Sequence, residues 1–236
     1  AYTLIQHAFN IAEKYQIPTI LLTDKQIAES LYQMGDLPPA VSIKRSLISN
    51  KPDQNPTSSD RYKITDSGIS PRWIPGQFEE TYVGNSDEHT PDGTVTEDAQ
   101  ISREMNQKRL RKLKTLEEEL PEPRILGPQK AKTTIVTWGS PLNALTDALN
   151  IWNDNNPKKQ VNLLLYEFMY PTKTGELRNL IKNKKKLILL ENNEFAQLGA
   201  LLTQNTGYIF TEKLLKSNGR PFFIEEIYDF LQNNIK

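Results

Sequence analysis

The chain has 236 residues, enough for one large domain or two small ones, and its 29 basic residues are balanced by 29 acidic ones. This balance gives no indication of a nucleic-acid or membrane-surface partner. The absence of cysteine excludes disulfides, zinc–thiolate sites and iron–sulfur clusters held by this chain. With only two histidines, we expect no His-rich metal site. Because no apolar run reaches about 20 residues and no signal peptide is visible, we expect a soluble, cytoplasmic protein.

The N-terminal segment has the pattern of one α/β unit. Tyr2–Tyr15 carries an apolar stripe at helical spacing, and IPTILLTD, Ile17–Asp24, reads as a buried strand followed by a second helix at Gln26–Leu31. A single unit of this kind has too few neighbours to fold well alone. We therefore expect residues 1–35 to be the incomplete tail of a larger α/β domain, and the chain to be a fragment.

The next segment, residues 36–130, has the composition of an extended arm rich in proline. Two pieces of it look more structured than a linker: Arg61–Gln77, with aromatic residues and Gly/Pro turn chemistry, and Gly84–Gly93, which is dense in Asp, Glu and His. A long charged helix follows from Thr96 to about Glu119. Because this helix offers few apolar residues, we expect it to be mostly solvated, bridging domains or lying against a partner.

The C-terminal segment, residues 131–236, alternates between strand and helix patterns. A continuous apolar run typical of a buried parallel strand ends at a Gly-Ser turn, and the alternation then repeats. This order predicts βαβ units, so the fold class is α/β, with a mostly parallel, Rossmann-like sheet in this segment. The predicted strands are Thr133–Ser140 with its turn, Val161–Phe168 and Leu187–Asn193, and the predicted helices follow Pro141 and cover Glu176–Ile181, Phe195–Leu202 and Ile224–Ile235.

Polar residues at two kinds of position are candidate binding or interface residues. Asn192 and Asn193 form the polar end of the strand predicted at Leu187–Asn193, at the edge where open α/β sheets bind ligands, although either can instead cap the next helix. Arg72, beside Trp73, can clamp a carboxylate or phosphate through its planar fork, and a structural ion pair is the equal alternative.

The acidic cluster Asp87-Glu88-His89 allows three interpretations. It can bind a metal or act in acid–base chemistry, it can order against a partner or ligand, or it can be a solvated loop. Adjacent residues rarely converge on one ion, so we favour the second interpretation for Glu88 and His89. No nucleophile–base pair and no phosphate-binding glycine fingerprint is present, so we assign no catalytic residue and no metal ligand.

A succession of motifs across nearly the whole chain resembles the α subunit of 2-oxoacid:ferredoxin oxidoreductases, with the 2-oxoglutarate type as the nearest match. The motifs that carry the resemblance are Ala8–Ser30, the GISPRxxPG core at 68–76, the DEH stretch, Thr96–Leu113, Thr137–Ser140, Tyr170-Pro171, ENNEFAQL at 191–198 and Gly219–Phe222. Each motif is weak alone, and their order is what makes the resemblance specific.

The resemblance implies oxidative decarboxylation of a 2-oxoacid with coenzyme A, giving an acyl-CoA, CO₂ and reduced ferredoxin. Thiamine diphosphate with Mg²⁺ and an iron–sulfur cluster would lie mainly on the partner β subunit, and the complex would be an oligomer. In such subunits residues 1–35 end the pyrimidine-binding domain, and residues 131–236 form a domain similar to the transketolase C-terminal domain.

Residues 36–130 and the last domain would then build the subunit interface, with Arg72, Glu88 and His89 facing the β subunit or the cofactor. The family's catalytic motifs would lie upstream, so we expect this chain alone to be inactive. The competing hypothesis is a non-catalytic dimerisation or interaction module with a transketolase-like domain. A transketolase-like or branched-chain 2-oxoacid dehydrogenase β-type subunit is a further alternative, against which the GISPR and DEH segments argue.

Overall fold

The computed structural model describes residues 1–31, 33, 35–49 and 55–235. The predicted ranges 1–35, 36–130 and 131–236 therefore include a few residues, 32, 34, 50–54 and 236, that lie outside the described part. Two compact units are present. The described residues of 1–22 and 33–119 form unit 1, and those of 23–32 and 120–236 form unit 2.

The helices and strands occur in the order α1-α2-α3-β1-β2-α4-β3-α5-β4-α6-β5-α7, with a short 3₁₀ turn at Ser58–Asp60 between α2 and α3. The helices are α1 (Tyr2–Tyr15), α2 (Lys25–Glu29), α3 (Ala99–Glu119), α4 (Leu142–Asn155), α5 (Gly175–Lys182), α6 (Gln197–Thr206) and α7 (Ile224–Asn234). The strands are β1 (Arg124–Leu126), β2 (Thr133–Trp138), β3 (Val161–Tyr166), β4 (Lys186–Glu191) and β5 (Glu212–Leu215).

The prediction of a buried strand at Ile17–Asp24 is wrong. Helix α1 forms as predicted, but the apolar run after it is extended chain without ladder pairing, and Ile20 and Leu22 are 80% and 58% exposed. A strand needs a neighbour to satisfy its N–H and C=O groups, and no strand in the described residues pairs with this run. An apolar run forms a buried strand only where a partner strand is present.

Helix α3 is the long helix predicted from the charged segment, and it organises unit 1. Three of its side chains donate hydrogen bonds to carbonyls spaced along the segment 61–70, which we call the clasped segment. Lys108 Nζ reaches the carbonyl of Tyr62 at 2.7 Å, Arg111 Nε that of Thr65 at 3.3 Å, and Thr115 Oγ1 that of Ser67 at 2.8 Å. The donors occupy positions i, i+3 and i+7, so they share one face of the helix. The helix is therefore less solvated than its composition predicts.

Gly68 makes the close approach between α3 and the clasped segment possible. Its φ is +77°, and a Cβ at this position would overlap the carbonyl oxygen of Lys108 and the backbone nitrogen of Lys112. Glycine is needed here for both reasons, because other residues rarely adopt this φ and no side chain fits against the helix backbone.

Unit 2 is built on a five-stranded sheet with the order β1-β3-β2-β4-β5. Strands β2, β3, β4 and β5 run parallel, and the edge strand β1 is antiparallel to β3. The three parallel strands predicted from the apolar runs are confirmed, with β3 and β4 each ending two residues earlier than predicted. Strands β1 and β5 were missed because they have three and four residues, lie at the edges and carry no continuous apolar run.

Helices cover both faces of this sheet. The buried side chains of α4 and α7, among them Leu145, Trp152 and Ile227, pack on one face, and those of α5 and α6, such as Leu177 and Leu202, pack on the other. The chain steps from β2 to β3 in one direction and then returns past β2 to β4. The strand order therefore reverses between β2 and β4, which is the position where doubly wound sheets open a crevice at the carboxyl ends of the strands.

In the part of the chain that the structure describes, no helix combines the length and the apolar surface needed to span a membrane.

The role of Gly68 can be tested with a matched pair of glycine substitutions in unit 1. Gly76 also has a positive φ, of +86°, but its Cβ would meet no described atom within 4 Å. We expect Gly76→Ala to lower the free energy of unfolding by about 1 kcal/mol, which is the cost of the backbone conformation. Gly68→Ala adds the steric overlap with α3, so we expect it to cost about 2 kcal/mol more.

Hydrogen exchange of the α3 amides is the measurement, because it reports the opening of unit 1 separately from that of unit 2. Equal losses of protection in the two variants would show that α3 does not press on the clasped segment at Gly68.

Candidate functional site

The carboxyl ends of β2 and β4, where the strand order of unit 2 reverses, are held together by one buried carboxylate. Glu191 ends β4 and is fully buried. Its Oε2 accepts hydrogen bonds from the indole Nε1 of Trp138 at 3.1 Å, from Nδ2 of Asn193 at 2.8 Å and from the N–H of Leu198 at 3.0 Å. Its Oε1 accepts from the N–H of Gly199 at 2.9 Å.

This arrangement explains how a glutamate can be buried here. Two of its four donors are backbone N–H groups in the first turn of α6, where orphan donors and the helix dipole favour a negative charge. The Trp138 indole joins the same carboxylate to the end of β2. Glu191 therefore fixes β2, β4 and α6 relative to one another, and with its lone pairs directed at four donors it is a positioning group.

The two asparagines predicted at this edge have different surroundings. Asn193 donates to Glu191, and its Oδ1 accepts a hydrogen bond at 3.3 Å from the N–H of Gln197, the first residue of α6. Asn193 thus satisfies one N–H at the start of α6, as the capping alternative allowed, although Ala196 is the N-cap residue of this helix. Asn192 is exposed. Contact of either residue with a ligand or a partner stays a prediction.

The neighbouring loop contains one unsatisfied group. Gly139 has a φ of +73° and leads from β2 to Ser140, whose hydroxyl is buried and has no hydrogen-bond partner among the described residues. The hydroxyl therefore does not cap α4, which begins two residues later.

A small cavity lies at the carboxyl end of β3. It has a volume of about 40 Å³, enough for one or a few water molecules, and is lined by Pro121, Glu122, Pro123, Arg124, Tyr166, Glu167, Phe168 and Lys173. Its charged residues are paired within the lining, Arg124 with Glu167 at 2.7 Å and Lys173 with Glu122 at 3.6 Å. Burial, and then the charge of Glu122, raises the pKa of the Tyr166 hydroxyl, so this group stays protonated.

In unit 1, Arg72 forms an ion pair with Glu13 of α1. Its Nη1 contacts Oε2 of that carboxylate and also donates at 3.0 Å to the carbonyl of Arg45, while its Nη2 lies 3.3 Å from Oε1. The hydrogen bond from Arg72 holds the pKa of Glu13 below its usual value. Within this structure Arg72 has the structural ion pair that the sequence allowed. Its proposed contact with a β subunit or cofactor stays a prediction.

Glu88 and His89 are adjacent in sequence but have different partners. The carboxylate of Glu88 accepts two hydrogen bonds from Arg109 of α3, the shorter at 2.5 Å, and this interaction lowers its pKa. The ring of His89 lies 4.2 Å from that of Tyr62, and its Nδ1 donates at 2.9 Å to the carbonyl of Thr90. Across the described residues, no three His, Cys, Asp or Glu side chains gather closely enough to hold a metal ion.

A group of cations in unit 1, which the sequence analysis did not identify, is the main electrostatic feature of this unit. Lys108 is only 6% exposed, and Lys112 lies one turn further along α3, with its Nζ 3.3 Å from the carbonyl of Gln16. The guanidinium of Arg61 donates at 2.6 Å to the side-chain oxygen of Gln16 and lies over the ring of Tyr62. We call Arg61, Lys108 and Lys112 the cationic cluster.

Burial and mutual repulsion act on this cluster together. Burial lowers the pKa of Lys108 to about 8, and the charges of Lys112, of Arg61 and of the α3 residues Arg109 and Arg111 contribute after burial. Burial is also the largest cause of the lowered pKa of Lys112. Charge counting along the chain could not locate this cluster, because Arg61 lies far from α3 in sequence.

Comparisons with known proteins agree on one family. Residues 1–108 match the family model described as "Pyruvate flavodoxin/ferredoxin oxidoreductase, thiamine diP-bdg". The α subunit of 2-oxoacid:ferredoxin oxidoreductase 1 from Sulfurisphaera tokodaii is 33% identical over 97% of this chain and 36% of its own length. The chain is a homologue of 2-oxoacid:ferredoxin oxidoreductase α subunits. The resemblance seen in the sequence motifs is thereby confirmed.

Other relatives extend this result. The α subunit of the 2-oxoacid:ferredoxin oxidoreductase from Saccharolobus solfataricus is 34% identical over 93% of the chain. The solved 2-oxoglutarate:ferredoxin oxidoreductase from Magnetococcus marinus has the same fold, with a TM-score of 0.83 over 96% of this chain and 39% of that one, at 24% identity. The homologues are oxidoreductases, and the chain spans about a third of the length of the curated relatives that it matches.

Thiamine diphosphate, which the family model's description names, needs ligands for its diphosphate and for a divalent cation. The described residues do not supply the cation ligands, since Glu13 and Glu88 are engaged by arginines and no group of three acidic or imidazole side chains is present among them. The sequence has no cysteine for an iron–sulfur cluster. By themselves, the described residues therefore hold no ligand set for the divalent cation of thiamine diphosphate.

The positioning role of Glu191 predicts a large effect of removing its charge. In Glu191→Gln one of the two oxygens becomes an NH₂ group that faces N–H donors, so at least one buried donor loses its acceptor. We expect the free energy of unfolding of unit 2 to fall by about 2–3 kcal/mol. Thermal unfolding followed by tryptophan fluorescence measures this, because Trp138 contacts the altered group.

Glu225→Gln is the matched control, since Glu225 is exposed in the first turn of α7 and its loss should cost no more than about 0.5 kcal/mol. If Glu191→Gln is as mild as this control, Glu191 does not hold the ends of β2 and β4 together.

The lowered pKa of Lys108 predicts a pH dependence of stability. Its pKa is about 8 in the native state against an ordinary value of 10.5, so the unfolded chain binds more protons between these values. The free energy of unfolding of unit 1 should therefore rise from pH 7 to pH 9, by up to about 1.4 kcal/mol per pH unit. Lys108→Met should remove this rise, as measured by hydrogen exchange of α3 corrected for the intrinsic exchange rate. A rise of the same size in Lys108→Met would assign it to another group.

Proposed function

We propose that the chain is part of the α subunit of a 2-oxoacid:ferredoxin oxidoreductase. The complete enzyme would oxidatively decarboxylate a 2-oxoacid with coenzyme A, giving an acyl-CoA, CO₂ and reduced ferredoxin. The observation that carries this proposal is 33% identity to such an α subunit over 97% of the chain.

In this enzyme the role of the chain is structural and interfacial. Residues 1–35 belong to the thiamine-diphosphate pyrimidine-binding domain, 36–130 form an arm, and 131–236 form a transketolase C-terminal-like domain. The doubly wound sheet of unit 2 supports the last assignment. The ordered loop at Glu88 and His89, which α3 holds through Arg109, supports an interface role for the arm, because a partner binds a preformed surface at lower entropic cost.

The cofactors would be held mainly outside this chain. Thiamine diphosphate with Mg²⁺ and an iron–sulfur cluster would lie chiefly on the β subunit, which agrees with the lack of cysteine here. Thiamine diphosphate supplies the carbanion chemistry when bound, and this chain's residues support the domains around it. The partners are then the β subunit and ferredoxin in a cytoplasmic oligomer. The proposed 2-oxoacid is 2-oxoglutarate, on the resemblance of the sequence motifs to that type.

The proposal predicts a defined dependence of activity on substrates and subunits. We expect the complete α subunit, co-expressed with its β subunit, to reduce methyl viologen only when a 2-oxoacid, coenzyme A and thiamine diphosphate are all present. In a panel of 2-oxoacids, 2-oxoglutarate should give the highest kcat/KM. This chain alone should show no reduction, because it provides neither cofactor site.

The controls separate the competing functions. The assembled complex is first shown to contain thiamine diphosphate and iron, so that a negative result is not due to missing cofactor. No reduction with any 2-oxoacid by this loaded complex would contradict the enzyme and favour the non-catalytic dimerisation module. Reduction by this chain alone would contradict its structural role.

A further inference from the structure

We propose that the cationic cluster of unit 1, Arg61, Lys108 and Lys112, is a binding site for an oxyanion, the phosphate or carboxylate group of a small molecule. This inference does not depend on the proposed enzyme function. It rests on the burial of these cations, on their hydrogen bonds and on the lack of a carboxylate partner for them among the described residues.

Lys108 is the first part of the argument. Its side chain is almost completely buried, and its Nζ has one hydrogen-bond acceptor, the carbonyl of Tyr62 at 2.7 Å. An ammonium group has three N–H donors, and lysines buried to this degree are normally paired with a negative charge. A neutral carbonyl satisfies one donor and leaves the net charge uncompensated.

Arg61 adds a second incomplete cation beside the first. Its guanidinium is held over the rings of Tyr62 and Tyr82, and its Nη1 donates to the side chain of Gln16. Its Nε is buried and has no acceptor among the described residues. The aromatic rings fix the plane of the guanidinium, and a fixed planar fork with unused donors suits a phosphate or a carboxylate.

Lys112, the third cation, hydrogen-bonds to the same residue as Arg61, namely Gln16. The backbone carbonyl of Gln16 accepts from Lys112, while the side-chain oxygen of the same residue accepts from Arg61. Gln16 caps the C-terminus of α1, where carbonyls carry partial negative charge and partly offset one lysine. They do not neutralise three cations.

No carboxylate of the described residues lies within 4.0 Å of the nitrogen atoms of these three side chains. Among the acidic residues of unit 1, Glu88 is engaged by Arg109, Glu13 by Arg72 and Arg45, and Asp60, next to Arg61 in sequence, by Lys63 and Thr57. Burial is the largest cause of the lowered pKa of Lys108, and the neighbouring cations Lys112, Arg61, Arg109 and Arg111 lower it further. A bound oxyanion would supply the missing negative charge and acceptors for the unused N–H donors.

The experiment measures binding of two simple oxyanions to the intact chain. Thermal unfolding and isothermal calorimetry are performed with inorganic phosphate or acetate at constant ionic strength, with chloride as the reference anion. At ten times the dissociation constant, the effective oxyanion should raise the Tm of unit 1 by about 3–5 °C relative to chloride. A shift with phosphate alone identifies a phosphate site, and a shift with acetate alone a carboxylate site.

Lys108→Met should lose at least half of this shift, because it removes the buried charge while keeping an unbranched side chain only one atom shorter. Lys114→Met is the control, since Lys114 is exposed on the same helix, and it should keep the full shift. Arg61→Gln is the second variant if Lys108→Met does not fold. The proposal is wrong if neither oxyanion binds the wild-type chain by calorimetry, or if the Lys108 or Arg61 variant responds as strongly as Lys114→Met.

Discussion

The satisfaction of backbone carbonyls by side chains of α3 is the constraint on which unit 1 depends. The clasped segment has no strand or helix of its own, so its carbonyls need donors from elsewhere. Lys108, Arg111 and Thr115 provide them from one helix face. A charged helix with few apolar residues can therefore organise a unit, because here its long polar side chains replace the hydrophobic stripe as the means of attachment. The same contact buries the cations that form the cationic cluster.

In unit 2 the side chain that holds backbone segments together is a buried carboxylate instead of a cation. Glu191 is buried because it accepts hydrogen bonds from the first turn of α6 and from Trp138, so the sheet and the helix share one carboxylate. A buried charge with all its partners present is stable, whereas removing a partner is costly. Both units thus use hydrogen bonds from or to charged side chains to fix backbone: Lys108 and Arg111 do so in unit 1, and Glu191 does so in unit 2.

The proposed function of the chain is based on its relatives. The relatives that match nearly the whole chain are α subunits of 2-oxoacid:ferredoxin oxidoreductases, and this chain spans about a third of their length. The proposed function therefore gives this chain an interface role, with the loop at Glu88 as the proposed contact surface of the arm. The oxyanion site that we propose at the cationic cluster is independent of that role.

The sequence by itself determined α1, α3 and the parallel strands β2, β3 and β4, because α1 has an apolar stripe at helical spacing, α3 is a long charged run and each buried strand is a continuous apolar run. The order of its motifs also predicted the similarity to 2-oxoacid:ferredoxin oxidoreductase α subunits. The tertiary structure decided what depends on partners distant in sequence. Arg72 meets Glu13 across 59 residues, and Arg61 joins a lysine cluster on α3. The apolar run at Ile17–Asp24 finds no strand to pair with among the described residues. An apolar pattern indicates which residues favour burial, and only the folded chain specifies whether a partner is present to bury them.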